Sequence, residues 1–184
     1  MKLHIAALLS ATLTLAAVVT MFDPKHYAWI GDQTGYSPVQ PIAYSHKVHA
    51  KDNGIPCEYC HFSARKGPVA GVPPANVCMN CHSQILKDSP EIAKIRKAIS
   101  TKKPIEWVRI NRVADFVRFN HSAHVAKGVA CQTCHGQIQD MTQVEQTRHM
   151  SMGWCVSCHR QYTAKPPKGM GKVNARVECS TCHY

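Results

Sequence analysis

The sequence predicts short helices and coil wrapped around prosthetic groups rather than around a side-chain core, with one N-terminal membrane helix. Three observations predict it. The pattern Cys-x-x-Cys-His occurs five times and uses all ten cysteines. Beyond residue 22 only 162 of the 184 residues remain, too thin a chain to enclose five large groups inside an ordinary core. Residues 5–22 form an apolar run without a charge.

The five motifs are Cys57-Glu-Tyr-Cys60-His61, Cys78-Met-Asn-Cys81-His82, Cys131-Gln-Thr-Cys134-His135, Cys155-Val-Ser-Cys158-His159 and Cys179-Ser-Thr-Cys182-His183. This is the attachment signature of c-type haem. Two thiols form thioethers to the porphyrin, and the adjacent imidazole reaches the iron as proximal ligand. Zinc ribbons and disulfide frameworks use paired cysteines but require no histidine directly after each pair. The expectation is a multihaem cytochrome c with five covalently bound haems c, their proximal ligands being His61, His82, His135, His159 and His183.

The formal net charge is +11. Ten propionates from five haems would bring this near neutrality, so the Lys/Arg excess reads as propionate neutralisation. No nucleic-acid recognition motif accompanies the charge, and nucleic-acid binding is excluded as a function.

Ile5–Phe22, preceded by Lys2, spans roughly 27 Å as a helix, the short end of what a bilayer needs. No clean small-x-small cleavage site follows, so the run reads as an uncleaved anchor rather than a removed signal peptide. The positive end stays inside, which puts the haem domain on the outer face of the cytoplasmic membrane. The expected organisation is an anchor at 1–22, a linker at 23–40 and a pentahaem domain at 41–184.

Within that domain the chain repeats itself. Tyr44-Ser-His46-Lys-Val-His49-Ala-Lys-Asp-Asn-Gly54 leads into the first motif, and Phe119-Asn-His121-Ser-Ala-His124-Val-Ala-Lys-Gly128 into the third. Each copy offers a capping residue (Ser45, Asn120), a helical stretch and a glycine stop. Each is followed by a second motif. The pattern is a duplicated two-haem unit, about 41–88 and 116–160, with a fifth haem at about 176–184. Five six-coordinate irons need five distal ligands, and His46, His49, His121, His124 and His149 match that number. Met152, three residues before Cys155, is the alternative to His149; methionine ligation would raise that iron's potential.

Between the units, Ser89-Pro90-Glu91 opens a helix with Ile92, Ile95 and Ile99 on one face. Ile105–Ile110 reads as a short strand or an extended linker. No motif ends in lysine, and no nucleophile–base pair or phosphate loop occurs. Electron relay is the economical function, without catalysis by this chain alone.

The runs Pro41–His49, Asn76–His82, Phe119–His135 and Met152-Gly-Trp-Cys155 closely resemble the pentahaem cytochrome c subunit of alternative complex III. The resemblance implies an N-terminal membrane helix and a place beside an iron–sulfur subunit resembling molybdopterin oxidoreductases. It also implies polytopic quinol-binding membrane subunits and a monohaem cytochrome c subunit or oxidase that accepts the electrons. One departure stands out: members of that family often place a candidate ligand histidine between the first two motifs, whereas Phe62–Val77 has none and Val69 lies near that place. Two other readings compete. A stand-alone membrane quinol dehydrogenase would make this chain itself the enzyme, and a free periplasmic shuttle would require removal of the N-terminal run.

Overall fold

The computed structural model describes residues 33–184. The expected anchor at 1–22, and the first part of the expected linker, lie outside the described residues. Among those described, no helix is long and apolar enough to cross a membrane.

The described chain is helix and coil, with an isolated backbone bridge between Val117 and His183 in place of strands. Helices α1 (Lys47–Asp52), α2 (Cys57–Cys60), α3 (Ala75–His82) and α4 (Pro90–Thr101) make up the first half. The second half holds α5 (His121–Ala126), α6 (Cys131–His135), α7 (Met152–Ala164) and α8 (Cys179–Cys182). All five motifs are helical. The first, third and fifth sit on the one-turn helices α2, α6 and α8, whereas the second and fourth lie within the longer α3 and α7. Helical spacing puts the two cysteines of a motif, at i and i+3, on one face.

The duplication is visible in the backbone. Asn120 caps α5, its side chain accepting from the Ser122 amide at 3.0 Å, and the Ser45 hydroxyl accepts from the Val48 amide at 3.2 Å. Gly54 (φ +65°) and Gly128 (φ +76°) end the two turns in the left-handed region where glycine carries no steric cost. The copies differ by one residue between the second histidine and the glycine. That extra residue is absorbed by winding α1 as a π-helix, while α5 is an ordinary α-helix.

Helix α4 forms as its sequence dictates. Ser89 accepts from the Glu91 amide at 3.3 Å, Pro90 opens the first turn, and Lys102 closes the helix in a left-handed conformation. Ile92 and Ile95 are each 5% exposed and pack with Ile42 against Ala75, Cys78, Met79, Ile105 and Trp107. Ile99, from the same stripe, is left partly exposed. The helix thus braces α3 and the second motif. Glu91 also accepts from the Ala43 amide at 2.9 Å, and the Lys94 ammonium donates to the Pro41 carbonyl at 3.0 Å, fixing the lead-in to α1.

Residues 105–110 form no helix and pair with no strand, and the Trp107 amide turns back to the Ile105 carbonyl at 2.9 Å. The Gln40 side chain takes a strand's part, donating to the Val108 carbonyl at 3.0 Å and accepting from the Val108 amide at 2.9 Å. Residues 35–37 pair with residues 143–146. Gly35 donates to Gln146 at 2.8 Å, Gln146 donates to Tyr36 at 3.0 Å, and the Ser37 hydroxyl donates to Val144 at 3.0 Å. These contacts tie the start of the described chain to its second half.

Candidate functional site

The buried apolar residues among those described are Tyr36, Ile42, Ala64, Ile92 and Ile95. Histidines and cysteines occupy the ground where a larger core would be expected. None of the ten cysteines is disulfide-bonded. Burial, reinforced by neighbouring thiols, pushes Cys134 up to about 11, and burial likewise raises Cys60, Cys78, Cys131, Cys155 and Cys158. Among the described residues, no three of His, Cys, Asp or Glu converge on a metal-ion point.

The histidines instead face one another in pairs. Each pair joins one ring from a His-x-x-His segment to one ring from a motif. His46 and His61 have ring centres 6.3 Å apart with planes 5° from parallel, and His121 and His135 repeat this at 6.4 Å and 4°. His49 and His82 stand 6.1 Å apart, and His124 and His159 6.0 Å apart. Two imidazoles bonded at about 2 Å to opposite sides of one metal ion place their ring centres about 6.2 Å apart. The spacing therefore fits two axial ligands on one iron, whose four remaining positions a porphyrin would supply. In both units the first histidine pairs with the nearer motif and the second with the farther one.

Hydrogen bonds turn the rings for that role. The Nδ1 atoms of His49, His61 and His82 lie 2.8, 2.6 and 3.1 Å from the carbonyls of Ser45, Gly71 and Ile85. Those of His121, His124 and His159 lie 2.7, 2.8 and 2.8 Å from the carbonyls of Pro68, Asn120 and Arg176. A carbonyl only accepts, so Nδ1 carries the proton and Nε2 keeps its lone pair for a metal. His46 and His135 have buried Nδ1 atoms without a protein partner. Burial, then the neighbouring His61, His49 and His135, pushes His46 down to about 4, and burial lowers His135 as well. Both rings are thus held in the neutral form that a metal requires.

An aromatic ring two residues ahead of each His-x-x-His orients its imidazoles, and the sequence reading overlooked it. Tyr44 stacks on His49 at 4.4 Å and meets His46 edge-on at 4.9 Å. Phe119 stacks on His124 at 4.8 Å and meets His121 edge-on at 4.8 Å. The shared aromatic at the same offset in both repeats was the available signal. Such pairs contribute about 0.5–1.5 kcal/mol each beyond area burial. Because the second unit does with Phe119 what the first does with Tyr44, Tyr44→Phe should leave the visible spectrum and thermal midpoint unchanged. Tyr44→Ala should lower the midpoint, checked by thermal melts of both variants.

The fifth motif is built differently. The ring packed against His183 is Phe116, at 5.7 Å and 27°, and the Arg118 amide donates to the Cys182 carbonyl at 2.7 Å. The Arg118 guanidinium lies 4.3 Å from the Tyr184 ring centre, a cation–π contact. The two candidate fifth ligands, His149 and Met152, are both exposed and flank Ser151, whose hydroxyl caps α7 by accepting from the Trp154 amide at 3.3 Å. Beside the fourth motif, a cleft of about 390 Å³ is lined by Arg148, Trp154, Cys158, Gln161 and Tyr162 among others. Its apolar walls and single guanidinium suit a macrocycle edge bearing a carboxylate.

Residues 117–184 match the family model described as cytochrome c7 and related cytochrome c. That span holds the third, fourth and fifth motifs and both histidines of the second pair. The match gives that part of the chain the character of a multihaem cytochrome c. The chain is similar to the multiheme cytochrome c subunit of a menaquinone reductase from Nitratidesulfovibrio vulgaris. The two are 29% identical over 165 residues, covering 78% of this chain and 76% of the relative. These likenesses support covalent haem c at the cysteine pairs and electron transfer as the work such groups do.

Proposed function

We propose that this chain carries five covalent haems c and works as the electron-relay subunit of a membrane complex that oxidises quinol. The observation that carries the reading is the set of four imidazole pairs at 6.0–6.4 Å. A haem held between two histidines has no open iron position for substrate, and it exchanges electrons with little change in geometry. Such an arrangement suits relay and leaves catalysis to partner subunits. The haems supply the redox capacity. The chain's own residues attach them through ten thioethers, fix the axial imidazoles, and hold the Nδ1 protons of His49, His61, His82, His121, His124 and His159 on backbone carbonyls.

The resemblance to the pentahaem subunit of alternative complex III favours partners of the kinds expected above: an iron–sulfur/molybdopterin-like subunit, polytopic quinol-binding subunits, and a cytochrome or oxidase acceptor. A second reading has its own support in the relative named for menaquinone reduction. There the same relay would deliver electrons to a membrane quinone instead of receiving them. Relay through bis-histidine sites runs in either direction, and the potentials of the partners set which. In both readings Ile5–Phe22 holds the chain to the membrane with the haem domain outside the cytoplasm.

The deciding experiment is to solubilise membranes gently, follow this chain by its covalent haem and identify what comes with it. Co-purification of a large iron–sulfur protein with polytopic subunits, reducing the haems on addition of quinol, is expected. Reduction by a soluble cytochrome with quinone as the final acceptor would favour the reductase reading. A chain that emerges alone and is still reduced by quinol would make it a dehydrogenase in its own right. Deleting residues 5–22 behind a cleavable export signal should release the haem domain from membranes with its haem content unchanged, measured by pyridine haemochrome in each fraction. For the fifth iron, Met152→Leu should leave the spectrum and midpoint potentials unchanged if His149 is the ligand. A fall in one potential would assign Met152 as the ligand.

A further inference from the structure

We infer that the five motifs stand in space in the order second, first, third, fourth, fifth, so that the second and fifth are the ends of the electron path. The inference rests on the five-haem relay proposed above and adds to it the sequence of hops. Chain order alone would put the first motif at an end.

Two links come from the His-x-x-His turns. α1 holds the rings facing the first and second motifs three residues apart, and α5 does the same for the third and fourth. The Asn80 amide of the second motif also donates to the Tyr59 hydroxyl of the first at 3.0 Å.

The contact joining the two pairs decides the order. The start of α5 is docked on the loop that follows the first motif. The His121 amide donates to the Pro68 carbonyl at 3.2 Å, and the Ser122 amide to the Gly67 carbonyl at 3.1 Å. His121 Nδ1 lies 2.7 Å from that same Pro68 carbonyl. The ring that faces the third motif is therefore oriented by the loop of the first. Cys131 of the third motif lies close enough to Cys57 of the first for that thiol to raise its pKa. His135 lies close enough to both His61 and His46 for their charges to interact. For the second motif, the corresponding thiol neighbour is Cys60 of the first.

The fifth motif is joined to the fourth. His159 donates from Nδ1 to the Arg176 carbonyl at 2.8 Å, and the Ala175 amide donates to the Thr163 hydroxyl of α7 at 3.0 Å. Cys155 and Cys182 are charge neighbours. Each end motif is flanked by exposed apolar residues, Ile85 and Leu86 after the second, Val177 and Tyr184 around the fifth. Every hop moves one electron from a reduced site to its oxidised neighbour, with no bond made or broken.

The test uses the full chain in detergent, fully reduced so that its low-spin irons are diamagnetic. Nuclear Overhauser contacts between haem substituents should link second to first, first to third, third to fourth and fourth to fifth. A contact between second and third without one between first and third would overturn the order, as would one placing the fifth beside the first or second. A paired-variant measurement tests the same link in the oxidised protein. His46→Ala with His121→Ala should create two high-spin sites whose resonance signals are broadened by mutual coupling. His49→Ala with His121→Ala should give the simple sum of the two single-variant signals. The reverse result would sink the order while leaving the ligand assignments intact. Single variants that stay wholly low-spin would remove the ligand assignments first, and the order with them.

Discussion

Replacing His46 by alanine should convert one low-spin haem in five to high-spin, and His121→Ala should do the same at a different site. The argument is geometric. His46 faces His61 at 6.3 Å with the rings nearly parallel, and His121 faces His135 in the same way. Alanine removes the imidazole that faces the motif histidine from that side, and water, a weaker-field ligand, would take its place on the iron. The two variants should nevertheless differ. His121 is anchored through Nδ1 to Pro68, so its loss also cuts one of the bonds that dock α5 on the first motif's loop. The buried Nδ1 of His46 has no such partner, so His46→Ala removes a ligand with less structural damage. Resonance spectra of the oxidised variants, with intact-mass measurement to confirm haem content, separate the cases. An unchanged low-spin spectrum with full haem content would take that residue off the ligand list. Loss of haem would instead mean that the site failed to form.

What the sequence made legible was local. The attachment motifs, the duplicated His-x-x-His turn, the caps at Ser89 and Asn120 and the stops at Gly54 and Gly128 all depend on residues close together in the chain. The pairing of rings was not legible, because either histidine of a turn could face either motif until the fold fixed their directions. The docking of α5 on Pro68 joins residues 53 apart by backbone groups that every residue carries. Ile105–Ile110 has the composition of a strand, but the partner it meets is one glutamine side chain and no second strand forms. The fifth distal ligand stayed open for a further reason. Here the two copies differ: the loop between the first two motifs, Phe62–Val77, holds no histidine or methionine to set beside His149 and Met152.

The chain made without haem attachment should not fold. A version with all ten cysteines replaced by alanine, or the native sequence produced where no attachment machinery exists, should show coil-like circular dichroism, no cooperative thermal transition and rapid proteolysis. Ordering a residue costs about 1–2 kcal/mol of backbone entropy, whereas a fully buried apolar side chain returns about 1.5–3 kcal/mol. With Ile42, Ile92 and Ile95 as the one cluster of buried apolar side chains among the described residues, burial falls far short of ordering the chain. The ion pairs do not change the balance. Lys47–Asp52, Lys51–Asp140, Arg65–Glu58 and Lys94–Glu91 are exposed, and such pairs contribute about 0–1 kcal/mol. The stabilising surface must come from macrocycles packed between the paired histidines and fixed covalently at two points each. Helix α4 sets the limit of the prediction. Its cap and isoleucine stripe are independent of any motif, yet the stripe packs on α3, which carries the second motif. Residual helix confined to 90–101 would therefore accord with the argument. Native-like protection across α1, α5 and α7 in hydrogen exchange would refute it, because the few hydrogen bonds and the exposed ion pair that join α1 and α5 to neighbouring loops are too weak to order them without the haems.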